Sequence, residues 1–212
     1  MTPSAPSSRV ERRRAETRAR IVHVAAQRFA AEGLDGVRLD AVATAADVAR
    51  GTLYNHFPSK DSLLLAVMEP VLHQAASGAE ALVASGAQDG VDGLLGLYLD
   101  LWRDHRDALR VTYHGQAQPL GSLEPLHGRF LAAVLTLLQR EAARGQLRTA
   151  DPLLSARILG TVAVPLLEGY EQHPAGERLF RQSVRGLLVG DCEPQERVAA
   201  VHGLARLSPT RS

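Results

Sequence analysis

Arg50, Gly51, Tyr54 and Asn55 fall on one strip of any helix drawn through residues 50–57, because positions three and four apart share a face. An arginine fork matches the guanine O6 and N7 acceptors, and an asparagine amide matches the N6 and N7 edge of adenine. Gly51 lets a backbone approach closely, and Tyr54 offers a flat ring with a hydroxyl. Thr52 and His56 share a second strip, with donors suited to phosphate oxygens. Leu53 and Phe57 form a third, apolar strip able to anchor the helix on its neighbours. Lys60 follows in the first turn of the next helix, where a cation opposes the helix dipole. A phosphate there would reverse the conflict, since free backbone N–H groups and an ammonium at one helix start make an anion site. These types at this spacing suit recognition of a duplex nucleic acid. The alternative is a three-helix scaffold with incidental polar residues.

The elements that must hold this strip are legible on either side of it. Pro3, Ser4, Pro6, Ser7 and Ser8 read as a disordered lead, and residues 1–15 as a disordered basic N-terminal extension. Helical periodicity starts near Val10, places Ile21, Ala25 and Phe29 on one face, and meets a stop at Gly33. A second helix carries Leu39, Val42, Ala43 and Ala46 on one short apolar face. A helix of two turns is marginal alone, so it must pack at once against its neighbours. Pro58 stops the third helix, and Ser59 reads as the N-cap of a long fourth one containing Leu63, Leu64, Val67 and Val71. Gly86, Asp89 and Gly90 mark the next break. Further helices are expected over 91–105, 106–116, 123–144, 152–172 and 175–189. Asp151 with Pro152 reads as an N-cap and first-turn pair, and Pro165 should kink its helix. Residues 193–207 have the spacing for one more amphipathic helix. No period-2 strand and no repeat stands out.

Composition narrows the function classes. The formal net charge of +1 conceals an asymmetry: residues 1–68 carry nine arginines and Lys60 against seven acids, +3, leaving −2 for the rest. Arg9, Arg12, Arg13, Arg14, Arg18 and Arg20 all precede residue 21. Such an end is the footprint of a phosphate-binding surface, or an ordinary solvated tail. The chain lacks an apolar signal-peptide core at its start, and no uncharged apolar run reaches the roughly 18 residues that span a bilayer, so a cytoplasmic location is expected. Cys192, the single cysteine, has no intrachain partner, which leaves burial of apolar surface to hold the fold. Nucleophile elbows, phosphate loops and Glu-flanked His pairs are missing, which argues against an enzyme and against a bound cofactor. A metal sensor built on His105, His114 and Cys192 is conceivable, but no compact ligand spacing supports it, and no metal is expected.

The stretch from Thr17 to Val67, with its Ile21, Ala25, Phe29 and Gly33 pattern, Val42 and Ala43, and the run GTLYNHFPSKDSL, resembles the DNA-binding domain of the TetR family of bacterial regulators. The resemblance covers about a quarter of the chain. It implies an all-α fold of nine or ten helices: a three-helix DNA-binding domain with a helix-turn-helix at 16–62, a ligand-binding and dimerisation domain at 63–190, and a tail at 191–212. By position it implies base contacts from Arg50, Gly51, Tyr54 and Asn55, and phosphate contacts from Thr17, Arg38, Thr52, Tyr54, His56 and Lys60. Three departures matter: Arg38 stands where the family has a Ser or Thr cap, Asp47 where it has the glycine of the turn, and Ala49 where it has Ser. A lost cap costs about 1 kcal/mol. Asp tolerates a left-handed backbone better than most residues, and Arg38 is placed to offset the lost cap with a charge-assisted phosphate contact.

Beyond residue 68 the resemblance is one of character. It implies a ligand cavity inside the helical domain and a homodimer seam on the last long helices. Ile158, Leu159, Val162, Leu166, Phe180, Val184, Leu187 and Leu188 are the seam candidates, each equally suited to intrachain core. Tyr98, Trp102, His105, Tyr113, His114, Phe130 and Tyr170 are the notable residues for a pocket in a chain only 4% aromatic. They suit an apolar ligand, and packing in the core is the plainer reading for each. Glu168 sits in an apolar run, where pairing with an arginine is favoured over binding a cation. The partners expected are double-stranded DNA with a near-palindromic operator, a second copy of the chain and a small-molecule effector. The expected function is a repressor released by its ligand. A co-repressor-dependent regulator or an activator fits the same residues.

Overall fold

The computed structural model describes residues 9–86, 88–114 and 120–190. Among them lie eight α-helices and one 3-10 turn, with no named strand. The helices are α1 (Arg9–Gly36), α2 (Leu39–Ala45), α3 (Arg50–His56), α4 (Lys60–Ala84), α5 (Gly90–His114), α6 (Glu124–Ala143), α7 (Pro152–Tyr170) and α8 (Gly176–Leu188), and the 3-10 turn is Gly121–Leu123. The expected tail helix at 193–207 and Cys192 lie outside the described residues.

Two compact units divide the chain: the described residues of Met1–Leu72 with His105–Glu124, and those of His73–Asp104 with Pro125–Ser212. The expected cut at 62/63 is therefore displaced, and the N-terminal unit is discontinuous in sequence. Within it, Leu123 is buried and a Cβ added at Gly121 would lie 3.7 Å from Leu65 Cδ1 on α4, so the later segment packs where a simple head-then-body order would not place it.

The head is built as its spacing requires. Ile21, Ala25 and Phe29 of α1, Val42 and Ala43 of α2, and Leu53 of α3 are all buried, so the short helices rest on a shared apolar core. Helical geometry breaks at Gly33, whose φ of 74° and ψ of 165° suit a residue without Cβ. Residues 9–15, expected as part of an extension, are helical. Arginine, glutamate and alanine are good helix formers, which prolongs α1 toward its start, and the exposed Arg12–Glu16 pair at 3.7 Å adds little.

The second unit converges on Leu94, Leu95, Tyr98, Leu137, Leu138, Leu159, Phe180 and Val184, side chains drawn from α5, α6, α7 and α8. Two polar devices fix its ends. Asp151 caps α7 by accepting from the Leu153 and Leu154 N–H groups at 2.9 and 3.2 Å, with Pro152 in the first turn as expected. Glu141 of α6, buried at 4% exposure, accepts from the Gly90 N–H at 2.9 Å and so caps α5 from a different helix. Arg144 completes that carboxylate at 3.0 Å.

Two expected helices at 91–105 and 106–116 are one helix interrupted at His105, where φ is −141° and ψ is 37°. Pro165 lies inside α7, which continues through it, as α4 continues through Pro70. By length and composition alone α7 could span a bilayer, yet Arg157 and Glu168 lie in it and one of its faces fills the core just described.

Candidate functional site

The turn between α2 and α3 sets the aim of α3. Ala46, Asp47 and Val48 donate to the carbonyls of Val42, Thr44 and Ala43 at 2.8 to 3.1 Å. Asp47 adopts the left-handed conformation, φ 50°, that its short polar side chain tolerates. Arg20 of α1 reaches the Asp47 carbonyl at 3.5 Å. As the departures from the family pattern imply, neither Arg38 nor Ala49 makes a side-chain cap.

With Leu53 and Phe57 at 0% and 2% exposure, α3 is anchored by the apolar strip. Burial of two such side chains contributes roughly 1.5–3 kcal/mol each. The opposite strip is left to solvent: Arg50, Gly51, Tyr54 and Asn55 are exposed, while Thr52 and His56 are half-buried. A Cβ added at Gly51 would meet nothing within 4 Å, so the fold itself does not require glycine there. Arg50 lies over the Tyr54 ring at 5.5 Å and pairs with Asp40 of α2 at 3.1 Å. That pair lacks hydrogen-bond alignment, because Asp40 Oδ1 is buried without a hydrogen-bond partner. Arg50 is thus steered rather than locked. Sequence reasoning passed over Asp40, whose signal was only an acid in the first turn of α2.

The remaining phosphate candidates spread around this strip. Thr17 is half-buried on α1, Arg38 is exposed at the start of α2, and Lys60 is half-buried in the first turn of α4. Ser59 and Ser62 exchange backbone N–H and hydroxyl bonds at 3.1 and 3.2 Å, so one of the N–H groups expected to be free at the start of α4 is already satisfied. His56 meets Arg14 and Arg18 of α1 in a small notch, and Arg18 lies over the Phe57 ring at 5.3 Å. Burial first, then the positive charges of Arg14 and Arg18, hold the His56 imidazole below its usual value, which leaves it neutral near pH 7.

The pocket candidates are divided by the fold. Trp102 and Tyr170 line a cleft of about 870 Å³ in the second unit. Tyr98 is instead in the core, edge-on to Phe130 at 6.5 Å, and burial pushes its phenol up to about 12. His105, Tyr113 and His114 belong to the other unit, where Tyr113 and His114 meet edge to face at 5.0 Å. What sequence reasoning missed is the charged stretch at 173–181, the turn before α8 and its first turns, which supplies much of the cleft wall. There His173 Nδ1 accepts from the Ala175 N–H at 3.0 Å, Arg103 approaches Glu177 at 3.5 Å, and Arg181 bonds Asp92 at 2.9 Å.

The seam candidates divide as well. Leu159, Phe180, Val184 and Leu188 are at most 1% exposed and are enclosed by their own chain. Ile158, Val162 and Leu166 are only partly buried, and Leu187 is 44% exposed. No cluster of three or more His, Cys, Asp or Glu side chains able to hold a metal occurs among the described residues.

A solvated polar strip on a short helix, anchored by Leu53 and Phe57 behind a left-handed turn, has the geometry of a helix-turn-helix. Residues 21–67 match the bacterial regulatory proteins of the tetR family. The HTH-type transcriptional repressor KstR2 of Mycolicibacterium smegmatis (strain ATCC 700084 / mc(2)155) is 30% identical over 124 residues, 58% of this chain. The match spans 56% of that repressor's length. The fold is that of KstR2 of Mycobacterium tuberculosis, a ketosteroid transcriptional regulator, at a TM-score of 0.68 and 20% identity over 88% of this chain and 98% of that one. AibR, solved with isovaleryl coenzyme A and operator DNA, shares it at a TM-score of 0.66 and 17% identity over 81% of this chain and 97% of that one.

Proposed function

We propose that this chain is a sequence-specific transcriptional repressor that acts in the cytoplasm as a homodimer and leaves its operator when a small molecule binds the second unit. One observation carries the reading: Arg50, Gly51, Tyr54 and Asn55 are held outward by a buried Leu53 and Phe57, with no structural role that would account for all four. In this reading Arg50 and Asn55 read guanine and adenine edges, and Thr17, Arg38, Thr52, His56 and Lys60 fix the register on phosphates.

The dimer seam runs along Leu154, Ile158, Val162 and Leu166 of α7, spaced four apart on one face, with Leu187 of α8. The effector lies in the cleft, its apolar body against Trp102 and Tyr170 and an acidic group at the rim beside Arg178. It acts by preferring the dimer whose two heads do not match successive major grooves, which lie about 34–36 Å apart. The shift is only as large as its differential affinity for the two states.

The test is to select fragments of the source genome on the purified chain at physiological salt and sequence them. A near-palindrome beside a promoter is expected, and recovery without sequence preference would refute the reading. Trp102, the only tryptophan, reports on the cleft by its fluorescence when candidate effectors are added.

A further inference from the structure

The most uneven charge in the head lies beside α3 rather than on its outward strip. Arg14 and Arg18 of α1 and His56 at the end of α3 line a notch of about 310 Å³, with Ala15 and Glu11 completing its wall. Arg14 and Arg18 both act electrostatically on the His56 imidazole, and Arg18 also lies over the Phe57 ring. Two guanidiniums and an imidazole thus converge from two helices, with one carboxylate among the lining residues. Two guanidiniums side by side repel one another, and an anion seated between them offsets that repulsion. We propose that this notch is a backbone-phosphate site for duplex DNA, which brings α1 into the footprint through Arg14 and Arg18 and makes His56 the third donor to one phosphate.

This rests on the DNA-binding reading and adds to it a coupling to protons. In the free protein His56 is discharged by burial and by its two arginine neighbours. The charged groups facing it across the notch are Glu11, Arg14 and Arg18, all on α1; α2 and α4 contribute none of the lining residues. A phosphodiester keeps its negative charge across the accessible pH range. Seated in the notch it offsets the two arginines and favours imidazolium, so His56 takes up a proton as DNA binds. The sign follows from linkage: affinity rises as pH falls between the bound and the free His56 values, at most about tenfold per pH unit for one proton. The effect is common to every sequence, because the contact is to backbone.

The experiment measures binding of the full chain to a selected operator and to an unrelated duplex, from pH 5.5 to 8 and over a salt series, for wild type, His56→Gln, Arg14→Ala and Arg18→Ala. Calorimetry in two buffers of different ionisation enthalpy counts protons directly. The expected result is tighter wild-type binding at lower pH on both duplexes and fractional proton uptake, with both lost in His56→Gln. Each arginine variant should weaken both duplexes and lower the slope of log affinity on log salt by up to about 0.9, the share of one phosphate. Unchanged salt slopes in the arginine variants, or an unchanged pH dependence in His56→Gln, would overturn the notch while leaving the regulator standing. Failure of wild type to bind any duplex at any pH would overturn both.

Discussion

Replacing Gly51 by Ala separates a residue kept for the fold from one kept for a partner, because the two roles predict opposite signs. Position 51 is the second residue of α3, and a Cβ there has no neighbour within 4 Å. Within the chain the methyl group therefore clashes with nothing, and alanine favours the helix by up to about 1 kcal/mol through its lower unfolded-state entropy. For a chain of 212 residues that corresponds to a rise in Tm of up to about 2–4 °C. On DNA the same methyl group stands between the α3 backbone and the groove it enters. Holding the backbone away weakens the neighbouring Arg50 and Asn55 contacts, each worth about 1–3 kcal/mol. Loss of one of them is a five- to 150-fold weaker operator complex. Thermal melting at fixed protein concentration and fluorescence anisotropy on the selected operator read the two quantities. A variant that melts higher and binds worse is expected. Wild-type operator affinity would refute close backbone approach at this position, and a lower Tm would refute the claim that the fold leaves the site empty.

Asp40→Asn tests whether Arg50 is steered or locked: the pair is exposed and unaligned, worth about 0.2–1 kcal/mol, so anisotropy should show discrimination between operator and mutant sites changed by less than about fivefold. Arg50→Ala should change it far more, and equal losses would mean the ion pair is required. Glu141→Ala strands the buried Gly90 N–H and Arg144, and should cost about 3 kcal/mol in urea unfolding, whereas Glu141→Gln, which keeps an acceptor for Gly90, should cost clearly less. If the proposed seam on α7 and α8 joins two copies, Ile158→Glu or Leu187→Glu should leave a monomer in light scattering where wild type is a dimer, while Leu159→Glu, whose side chain is enclosed by its own chain, should fail to fold. The Tyr98 phenol titrates higher in the folded chain than its ordinary value near 10, so its contribution to stability is complete below pH 10 and is lost as pH rises toward 12. Urea midpoints at pH 9 and 11 should fall less in Tyr98→Phe than in wild type.

Local rules carried the head. Gly33, the Asp47 turn, Pro58 after Phe57, and Asp151 with Pro152 each mark a boundary through backbone geometry set by one or two neighbours, and each boundary falls within a few residues of where the sequence places it. The outward strip of α3 was legible for the same reason, since Leu53 and Phe57 on one side dictate what faces the other. The second unit resisted because its decisive facts are non-local. Leu159 and Ile158 are adjacent apolar residues on α7, and only the arrival of α6 and α8 decides which is enclosed. The cleft draws Trp102 from α5, Tyr170 from α7 and a charged stretch from 173–181 that runs into α8, three segments with no common spacing. Glu141 carries no local mark of its role, because the helix it caps begins 51 residues earlier at Gly90.

The division that assigns His105–Glu124 to the N-terminal unit bears on how the molecule is made and how it can be re-engineered. The first three helices supply the core of Ile21, Ala25, Phe29, Val42, Ala43 and Leu53, whereas the contribution of residues 105–124 to this unit becomes available only after residues 73–104 have been made. For the same reason a chimaera cut just after Val67, where the family resemblance ends, would transplant a head missing part of its own foundation. A graft that carries residues 105–124 along with it would keep that foundation whole.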